Sequence, residues 1–264
     1  MPVVAPRRRS VYDYLLGVRQ QRGAGFVVLV DPDNLPEREA PAFAERCTAA
    51  GADALFIGGS LMHRSEVDRL VGRLKLATDL PVVGFPGTLN QLSAACDAVL
   101  FLSVVSGRNA DHLIGQHVHA APIIRRLGLE PIPTGYMLVE SGRTTTAQYM
   151  NGSPPLPRHK PEIAAATALA AEMLGMKLLF TDAGSGAEHP VTPEMIGAIT
   201  EACRIPLVVG GGLRTPEDVA ARVEAGAGFV VVGNAIEGRP GDGAYVAELA
   251  AAAHAGAARP LARA

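Results

Sequence analysis

Acidic and hydroxyl side chains follow short apolar runs of this sequence, at points where strands of a parallel sheet would end. Asp31 comes directly after the run Phe26–Val30, and Ser60 comes after the next run along the chain. Because Mg²⁺ takes one or two protein oxygens and otherwise binds waters and substrate phosphates, this carboxylate and this hydroxyl would suffice as its protein ligands. The alternative is that Asp31 is a turn or helix-cap residue, a role that Asp33 fits better.

Three glycine-rich segments in the C-terminal half also follow apolar runs, and each precedes a helical pattern. Backbone N–H groups in such segments can approach an anion at the start of a helix. For any single segment the glycines could merely allow a tight turn, but three together indicate a phosphate ligand. The residues concerned are Ala183, Gly184, Ser185 and Gly186, then Gly211 and Gly212, and then Gly233 and Asn234.

Other chemistries are disfavoured by residue spacing. Cys47, Cys96 and Cys203 lie far apart without a CxxC pair, so neither a disulfide framework nor a zinc site is indicated. His117 and His119 are two positions apart on a predicted helix and face different ways, so we expect solvated histidines there. Motifs for nucleotide hydrolysis and for dinucleotide binding do not occur, so both of these chemistries are disfavoured.

Composition and charge narrow the class of protein. The 264 residues carry 24 Lys and Arg against 26 Asp and Glu, a net charge of -2, which excludes a nucleic-acid partner. Apolar runs fall short of the roughly 18 residues that span a bilayer, and we expect a cytoplasmic protein. The basic residues Arg7 to Arg9 would allow a weak peripheral contact with an acidic membrane surface.

We also expect a homo-oligomer (dimer). Because only 5% of residues are aromatic, we expect a core of Leu, Val, Ile and Ala.

Short apolar runs alternate with segments of helical period along the whole chain. Such alternation predicts an α/β fold, a modified TIM (βα)8 barrel in one domain spanning 1–264, with 1–24 as an N-terminal extension and capping segment. A doubly wound open sheet is the alternative. The predicted strands are Phe26–Val30, Ala54–Ile57, Val82–Phe85, Ala98–Leu102, Tyr136–Val139 with a lead-in from Pro131, Leu178–Thr181, Leu207–Val209 and Phe229–Val232. The predicted helices start near Glu37, Arg64, Leu89, Asp111, Pro161, Pro193, Pro216 and Tyr245.

The segment 140–159 interrupts this alternation. It is rich in Ser, Thr, Gly and Pro and has no apolar period, which predicts a long active-site loop after the fifth strand. Glu140 begins it and would share a rim with Asp31. These two carboxyl groups could then act as acid and base in a phosphosugar isomerase.

Several strings taken together carry a more specific signal. They are LVDPDN, ADALFIGGS, SGRNADHLIG, PIPTGYMLVESG, PRHKPEIAAATALAAEMLGMKLLFTDAGSGAEHPV, IPLVVGGGLRTPED and AGAGFVVVGNAIEG. In this order they resemble the geranylgeranylglyceryl phosphate synthase family, which includes the bacterial heptaprenylglyceryl phosphate synthases, over nearly all of Phe26 to Gly238. The resemblance implies a modified TIM barrel that joins a prenyl diphosphate to a hydroxyl of sn-glycerol 1-phosphate with Mg²⁺.

The resemblance also implies residue roles. Asp31 and Ser60 would hold Mg²⁺ against the diphosphate, and the three glycine-rich segments would bind the acceptor phosphate. Asp182 stands where the family has a glutamate proposed as the base, and Phe180 stands where it has an acceptor-handling tyrosine. The lysine that commonly follows Asp-Pro-Asp is Asn34 in this chain. The replacements at positions 180 and 182 affect which acceptor the resemblance implies, whereas the phosphate-binding segments match the family.

The function implied is an Mg²⁺-dependent prenyltransferase that forms an ether with a three-carbon phosphate, either sn-glycerol 1-phosphate or 3-phosphoglycerate. One relative of this family, the prenyltransferase of moenomycin biosynthesis, transfers farnesyl to 3-phosphoglycerate, and Phe180 with Asp182 would leave room for that bulkier acceptor. We expect the prenyl chain in a cleft of small apolar residues. Besides the isomerase with Asp31 and Glu140, a non-catalytic phosphometabolite-binding protein stays open from the residues alone.

Overall fold

A closed barrel of eight parallel strands forms the centre of the protein. The computed structural model describes residues 10–63 and 67–256. Each strand pairs with the next, and β8 pairs with β1, which confirms the predicted TIM barrel and excludes an open sheet. The strands are β1 Gly25–Val30, β2 Ala54–Ile57, β3 Val82–Gly84, β4 Ala98–Val104, β5 Glu130–Leu138, β6 Leu178–Asp182, β7 Leu207–Gly210 and β8 Phe229–Val232.

Helices pack around the barrel and follow most of the strands. Three of them begin after a threonine whose hydroxyl accepts a backbone N–H of the first turn. Two of these three helices have proline in the first turn, and the first turn of the third is uncharged. The helices are α1 Val11–Arg22, α2 Ala40–Ala49, α3 Val67–Lys75, α4 Gln116–Leu127, α5 Thr146–Asn151, α6 Pro161–Met173, α7 Pro193–Ala202, α8 Pro216–Glu224, α9 Asn234–Glu237 and α10 Gly243–Ala255. The helix start predicted at Arg64 lies outside the described residues.

Alternate strand residues face the barrel interior and the surrounding helices. Val27 packs inside the barrel, whereas its neighbours Phe26 and Val28 pack against the helices. Both faces of the sheet are therefore covered, which explains why each strand is a continuous apolar run. The core consists mainly of Val, Leu, Ile and Ala, as expected, but most of the few phenylalanines also lie in it. Phe26, Phe56, Phe180 and Phe229 are among the largest fully buried side chains.

Helix α1 covers the amino-terminal end of the barrel, opposite the rim where the strands end. Its apolar face, Val11, Leu15 and Val18, packs into the interior cluster of the barrel. The first turn is held by Glu130 of β5, whose carboxylate accepts from the N–H groups of Val11 at 2.7 Å and Tyr12 at 3.1 Å. Residues 1–9 of the predicted capping segment lie outside the described part of the chain.

Two βα units differ from the regular pattern. The helix predicted near Leu89 is only one 3₁₀ turn, Leu89–Gln91, in the connection between β3 and β4. The buried Gln91 side chain holds this connection through hydrogen bonds to Gly59 O and Gly87 N, both 2.9 Å long. The helix predicted at Asp111 starts with a π-helical turn, Asp111–Gly115, and the segment 140–159 contains α5 within its loop.

Candidate active site

A large cleft opens at the carboxyl ends of the strands. It encloses about 310 Å³ and extends from the barrel centre outward past β4. Most of the site residues expected from the sequence line it. They are Asp31, Ser60, Phe180, Asp182, Gly184, Ser185, Gly186, Gly211, Gly212, Gly233 and Asn234. The fold thus brings residues that are distant in sequence to one rim.

Backbone conformation shapes the end of the cleft after β6, β7 and β8. Gly184 has φ +90°, and a Cβ there would lie 2.5 Å from Thr145 Oγ1, so only glycine fits. Gly211 has φ +79°, and a Cβ would lie 2.6 Å from Gly184 N. The two segments therefore approach each other with bare backbone. Ser185 Oγ donates to Asn234 Oδ1 at 2.9 Å, which joins the segment after β6 to the one after β8.

Arginine side chains hold the segment that follows β6 from outside. Arg214 Nη2 donates to Ala187 O at 2.6 Å, Arg143 donates to Gly186 O, and Arg158 donates to Pro190 O. These guanidinium groups occupy carbonyl oxygens of the segment, and Arg214 also lines the cleft. The arrangement places positive charge around the end of the cleft where the glycine-rich segments meet, which suits an anionic ligand.

Asp182 lies at the carboxyl end of β6 with both carboxylate oxygens engaged. Oδ1 accepts from Gly184 N and Oδ2 accepts from the hydroxyl of Tyr136, each at 2.7 Å. Burial raises the pKa of Asp182, and these two hydrogen bonds act in the opposite direction. Burial and the nearby Asp182 charge raise the pKa of Tyr136 well above its ordinary value, so its hydroxyl stays protonated and donates.

Tyr136 was not among the residues expected from the sequence. It lies on β5 directly beside Phe180 of β6 in the register of the sheet. Tyr136 is the only residue with a hydroxyl in the apolar run Tyr136–Val139, and this isolated polar group could have marked it as a candidate site residue. Phe180 itself is 1% exposed and stacks on Phe85 with ring centroids 4.8 Å apart, so it forms the floor of the cleft. The tyrosine hydroxyl near Asp182 therefore comes from β5 and not from position 180.

Asp31 and Ser60 line the cleft at neighbouring strand ends. Asp31 Oδ1 accepts from Asp33 N at 2.9 Å, and a Cβ on Gly59 would lie 3.0 Å from Asp31 Oδ2. The carboxylate therefore stands against bare backbone beside Ser60. Burial raises the pKa of Asp31, the opposite of what its hydrogen bond from Asp33 alone would do. A half-buried carboxylate and a hydroxyl are hard oxygen donors that fit Mg²⁺.

Two expected site residues lie elsewhere. Glu140 does not line the cleft, because its exposed side chain lies against the loop instead and accepts a hydrogen bond from Arg158 N at 3.4 Å. Asp31 and Glu140 are therefore not brought together as an acid and base pair. Ala183 packs in the core between barrel and helices, and its N–H donates to Gly210 O at 3.2 Å, so it offers the cleft no group.

The outer end of the cleft is apolar and runs between the 3₁₀ turn and α4, where a complete helix after β3 would stand. Its lining includes larger side chains than the small ones expected. They are Leu89, Leu92, Val99, Phe101 and Ile124, and the small Ala120 also lines this end. His117 also lines it and is buried, with Nε2 3.1 Å from Ser103 Oγ, so the expectation of a solvated histidine is wrong for His117. His119 is exposed as expected.

The profile of the PcrB family matches residues 17–252. The chain belongs to the PcrB family. Curated relatives of this PcrB-family chain are named geranylgeranylglyceryl phosphate synthase. The one from Chitinophaga pinensis is 44% identical over 248 residues, which cover 94% of this chain and 97% of the relative. The one from Thermococcus gammatolerans is 43% identical over 211 residues, covering 80% of this chain and 83% of the relative.

Solved structures agree with this assignment. The chain is similar to (S)-3-O-geranylgeranylglyceryl phosphate synthase from Thermoplasma acidophilum in complex with substrate sn-glycerol-1-phosphate, with a TM-score of 0.88, 29% identity, and coverage of 94% of this chain and 99% of that one. An N-acetylmannosamine-6-phosphate 2-epimerase from Clostridium perfringens, 15% identical with a TM-score of 0.55 and coverage of 89% and 94%, shares the fold alone. The comparisons thus confirm both the predicted family and the prediction that the protein is a prenyltransferase.

Proposed function

We propose that this PcrB-family chain is an Mg²⁺-dependent prenyltransferase that forms an ether between a prenyl diphosphate and a hydroxyl of a three-carbon phosphate. The observation that carries the proposal is one cleft with three distinct parts. The glycine-rich segments form one end, Asp31 and Ser60 stand at the rim, and an apolar groove leads outward past β4. A phosphate, a diphosphate with its metal, and a hydrocarbon chain each need one of these surfaces.

Ether formation requires a group that accepts the proton of the acceptor hydroxyl, and in the proposed reaction this group is Asp182. The acceptor oxygen forms a bond to the allylic carbon, the bond from that carbon to the diphosphate breaks, and the hydroxyl proton goes to Asp182. A raised pKa favours a carboxylate that takes up a proton in a buried site. Tyr136 and Gly184 N–H orient the carboxylate by donating to its two oxygens.

Mg²⁺, when bound, would neutralise negative charge that develops on the departing diphosphate. Asp31 and Ser60 would hold it. Within the described part of the chain no cluster of three or more His, Cys, Asp or Glu side chains is suited to a metal. A cation held by a single carboxylate therefore depends on the diphosphate oxygens, as is usual for Mg²⁺ on phosphate substrates.

The proposed acceptor is sn-glycerol 1-phosphate. The structure of the Thermoplasma acidophilum relative, which was solved in complex with that substrate, supports this choice. The alternative is 3-phosphoglycerate, as in the relative from moenomycin biosynthesis, which is favoured by Phe180 and by an aspartate at position 182. The two differ in the reacting hydroxyl, which is primary in the first and secondary beside a carboxylate in the second. The position of Asp182 must suit one of them better.

The test is product formation. The purified protein is incubated with Mg²⁺, with farnesyl, geranylgeranyl or longer diphosphates, and with either acceptor, and the ether is identified by mass. We expect an ether and released diphosphate, and a preference ratio between the acceptors that shifts in Phe180→Tyr/Asp182→Glu. Release of no diphosphate with any donor would contradict the prenyltransferase proposal, whereas an unmoved ratio would contradict only the role of these two positions.

Association of this protein with partners also stays a prediction. Among the described residues, no helix has the length and hydrophobicity to cross a membrane. A homodimer is the expected assembly, and sedimentation of the purified protein would test it. A peripheral membrane contact for the lipid product and a cytoplasmic location are further expectations, which flotation with anionic vesicles and cell fractionation would test.

A further inference from the structure

Glu237 connects two segments of the rim and has no part in the proposed reaction. It is the last residue of α9, the single turn that begins at Asn234 directly after Gly233. Its side chain lies half-buried and reaches across to the segment after β1. Oε1 accepts from Asp31 N and Oε2 accepts from Asn34 Nδ2, both at 3.0 Å.

These contacts complete a continuous chain of hydrogen bonds around the rim. Ser185 Oγ donates to Asn234 Oδ1 at 2.9 Å, and Glu237 N donates to Gly233 O at 3.2 Å within the turn. Glu237 then accepts the N–H of Asp31. The segments after β6, β8 and β1, which carry the phosphate end and the metal end of the cleft, are therefore joined through α9.

We propose that Glu237 is a positioning residue that holds the Asp31 backbone so that the Asp31 carboxylate faces the diphosphate. The inference rests on the proposed function, because it assumes that Asp31 holds Mg²⁺. Both oxygens of Glu237 accept N–H donors of the segment after β1, which is the arrangement expected of a side chain that orients this segment. Loss of the side chain would leave Asp31 N without its acceptor and free the segment to move.

The conservative variant separates positioning from ligation. In Glu237→Gln the side-chain oxygen still accepts from Asp31 N, and the new amide can donate to Asn34 once the Asn34 amide turns over. In Glu237→Ala both hydrogen bonds are lost. Glu248, an exposed glutamate on α10, offers a matched control, because Glu248→Ala removes the same group away from the cleft.

The experiment is titration calorimetry of the full chain with Mg²⁺ plus inorganic pyrophosphate and, separately, with sn-glycerol 1-phosphate. We expect Glu237→Ala to weaken Mg²⁺-pyrophosphate binding by about tenfold, because the Asp31 backbone loses the acceptor that holds it. Glycerol phosphate binding should stay close to wild type. Glu237→Gln and Glu248→Ala should match wild type for both ligands, and the thermal midpoint of each variant reports whether it is folded.

Three results would overturn the inference. A Glu237→Gln variant as weak as Glu237→Ala would make the charge itself necessary, as for a direct metal ligand. Equal losses for pyrophosphate and glycerol phosphate in Glu237→Ala would indicate a general collapse of the rim. Unchanged pyrophosphate binding in Glu237→Ala would mean that Asp31 needs no support. A wild type that binds glycerol phosphate but no Mg²⁺-pyrophosphate would instead refute the metal role of Asp31 in the proposed function.

Discussion

Removal of the Tyr136 hydroxyl tests the assignment of Asp182 as the base. Tyr136→Phe deletes the donor 2.7 Å from Asp182 Oδ2 and keeps the ring, which packs against Phe85 and Phe180 with centroids 6.1 and 5.8 Å away. A hydrogen bond to a charged group contributes about 1.5–3 kcal/mol, so kcat/KM should fall by roughly 10- to 100-fold if the bond orients the ionised carboxylate.

The sign of the pH effect follows from the same contact. Asp182 must be ionised to accept a proton, so activity falls as the pH drops through its pKa. The Tyr136 hydrogen bond lowers the pKa against the dominant effect of burial, so its loss should move the acid limb of kcat/KM to higher pH. The assay is product formation across pH, with single-turnover rates to isolate the chemical step.

Stability gives an independent measurement. Because the pKa of Asp182 is raised in the folded state, its ionisation costs stability as the pH rises through that pKa. Tyr136→Phe increases this cost, so the variant should lose about 1.5–3 kcal/mol at neutral pH and less in acid. Tyr14→Phe is the control, since Tyr14 donates to Asp53 O, a carbonyl away from the cleft that does not titrate. An acid limb that stays in place, with a loss of stability independent of pH, would refute the reasoning.

Further predictions concern the other parts of the cleft. Asp31→Asn should lower turnover at saturating Mg²⁺ by at least about a hundredfold, measured by product formation. The same variant should have a higher thermal midpoint, measured by calorimetry, because burial of the ionised carboxylate opposes folding and the Asn side chain still accepts from Asp33 N. Gly211→Ala, with a Cβ 2.5 Å from Asp182 Oδ1, should raise the acceptor KM more than the donor KM, and equal changes would contradict the site. Ala120→Phe should raise the kcat/KM ratio of farnesyl to geranylgeranyl diphosphate by obstructing the groove, while Val118→Phe on the exposed face of α4 should not.

The sequence by itself determined the order of the elements and the segments that reach the rim of the barrel. Seven predicted strands agree with the structure within two residues at each end, and the fifth does so once its lead-in is included. This agreement is expected because a strand buried on both faces is a local apolar run that ends at Gly, Pro or Asp. Asp31, Ser60 and the glycine-rich segments line one cleft, which the sequence could predict because every parallel strand delivers the residue after it to the same rim.

Only the tertiary structure decided which side chains meet. The pairing of β8 with β1 closes the barrel, and the register of β5 with β6 brings Tyr136 to Asp182 across a separation of 46 residues. The reach of Glu237 to Asp31 spans 206 positions and depends on the same closure. Glu140 follows a strand as Asp31 does, yet it points away from the cleft. The direction of a side chain depends on register and neighbouring segments, and neither is encoded in local composition.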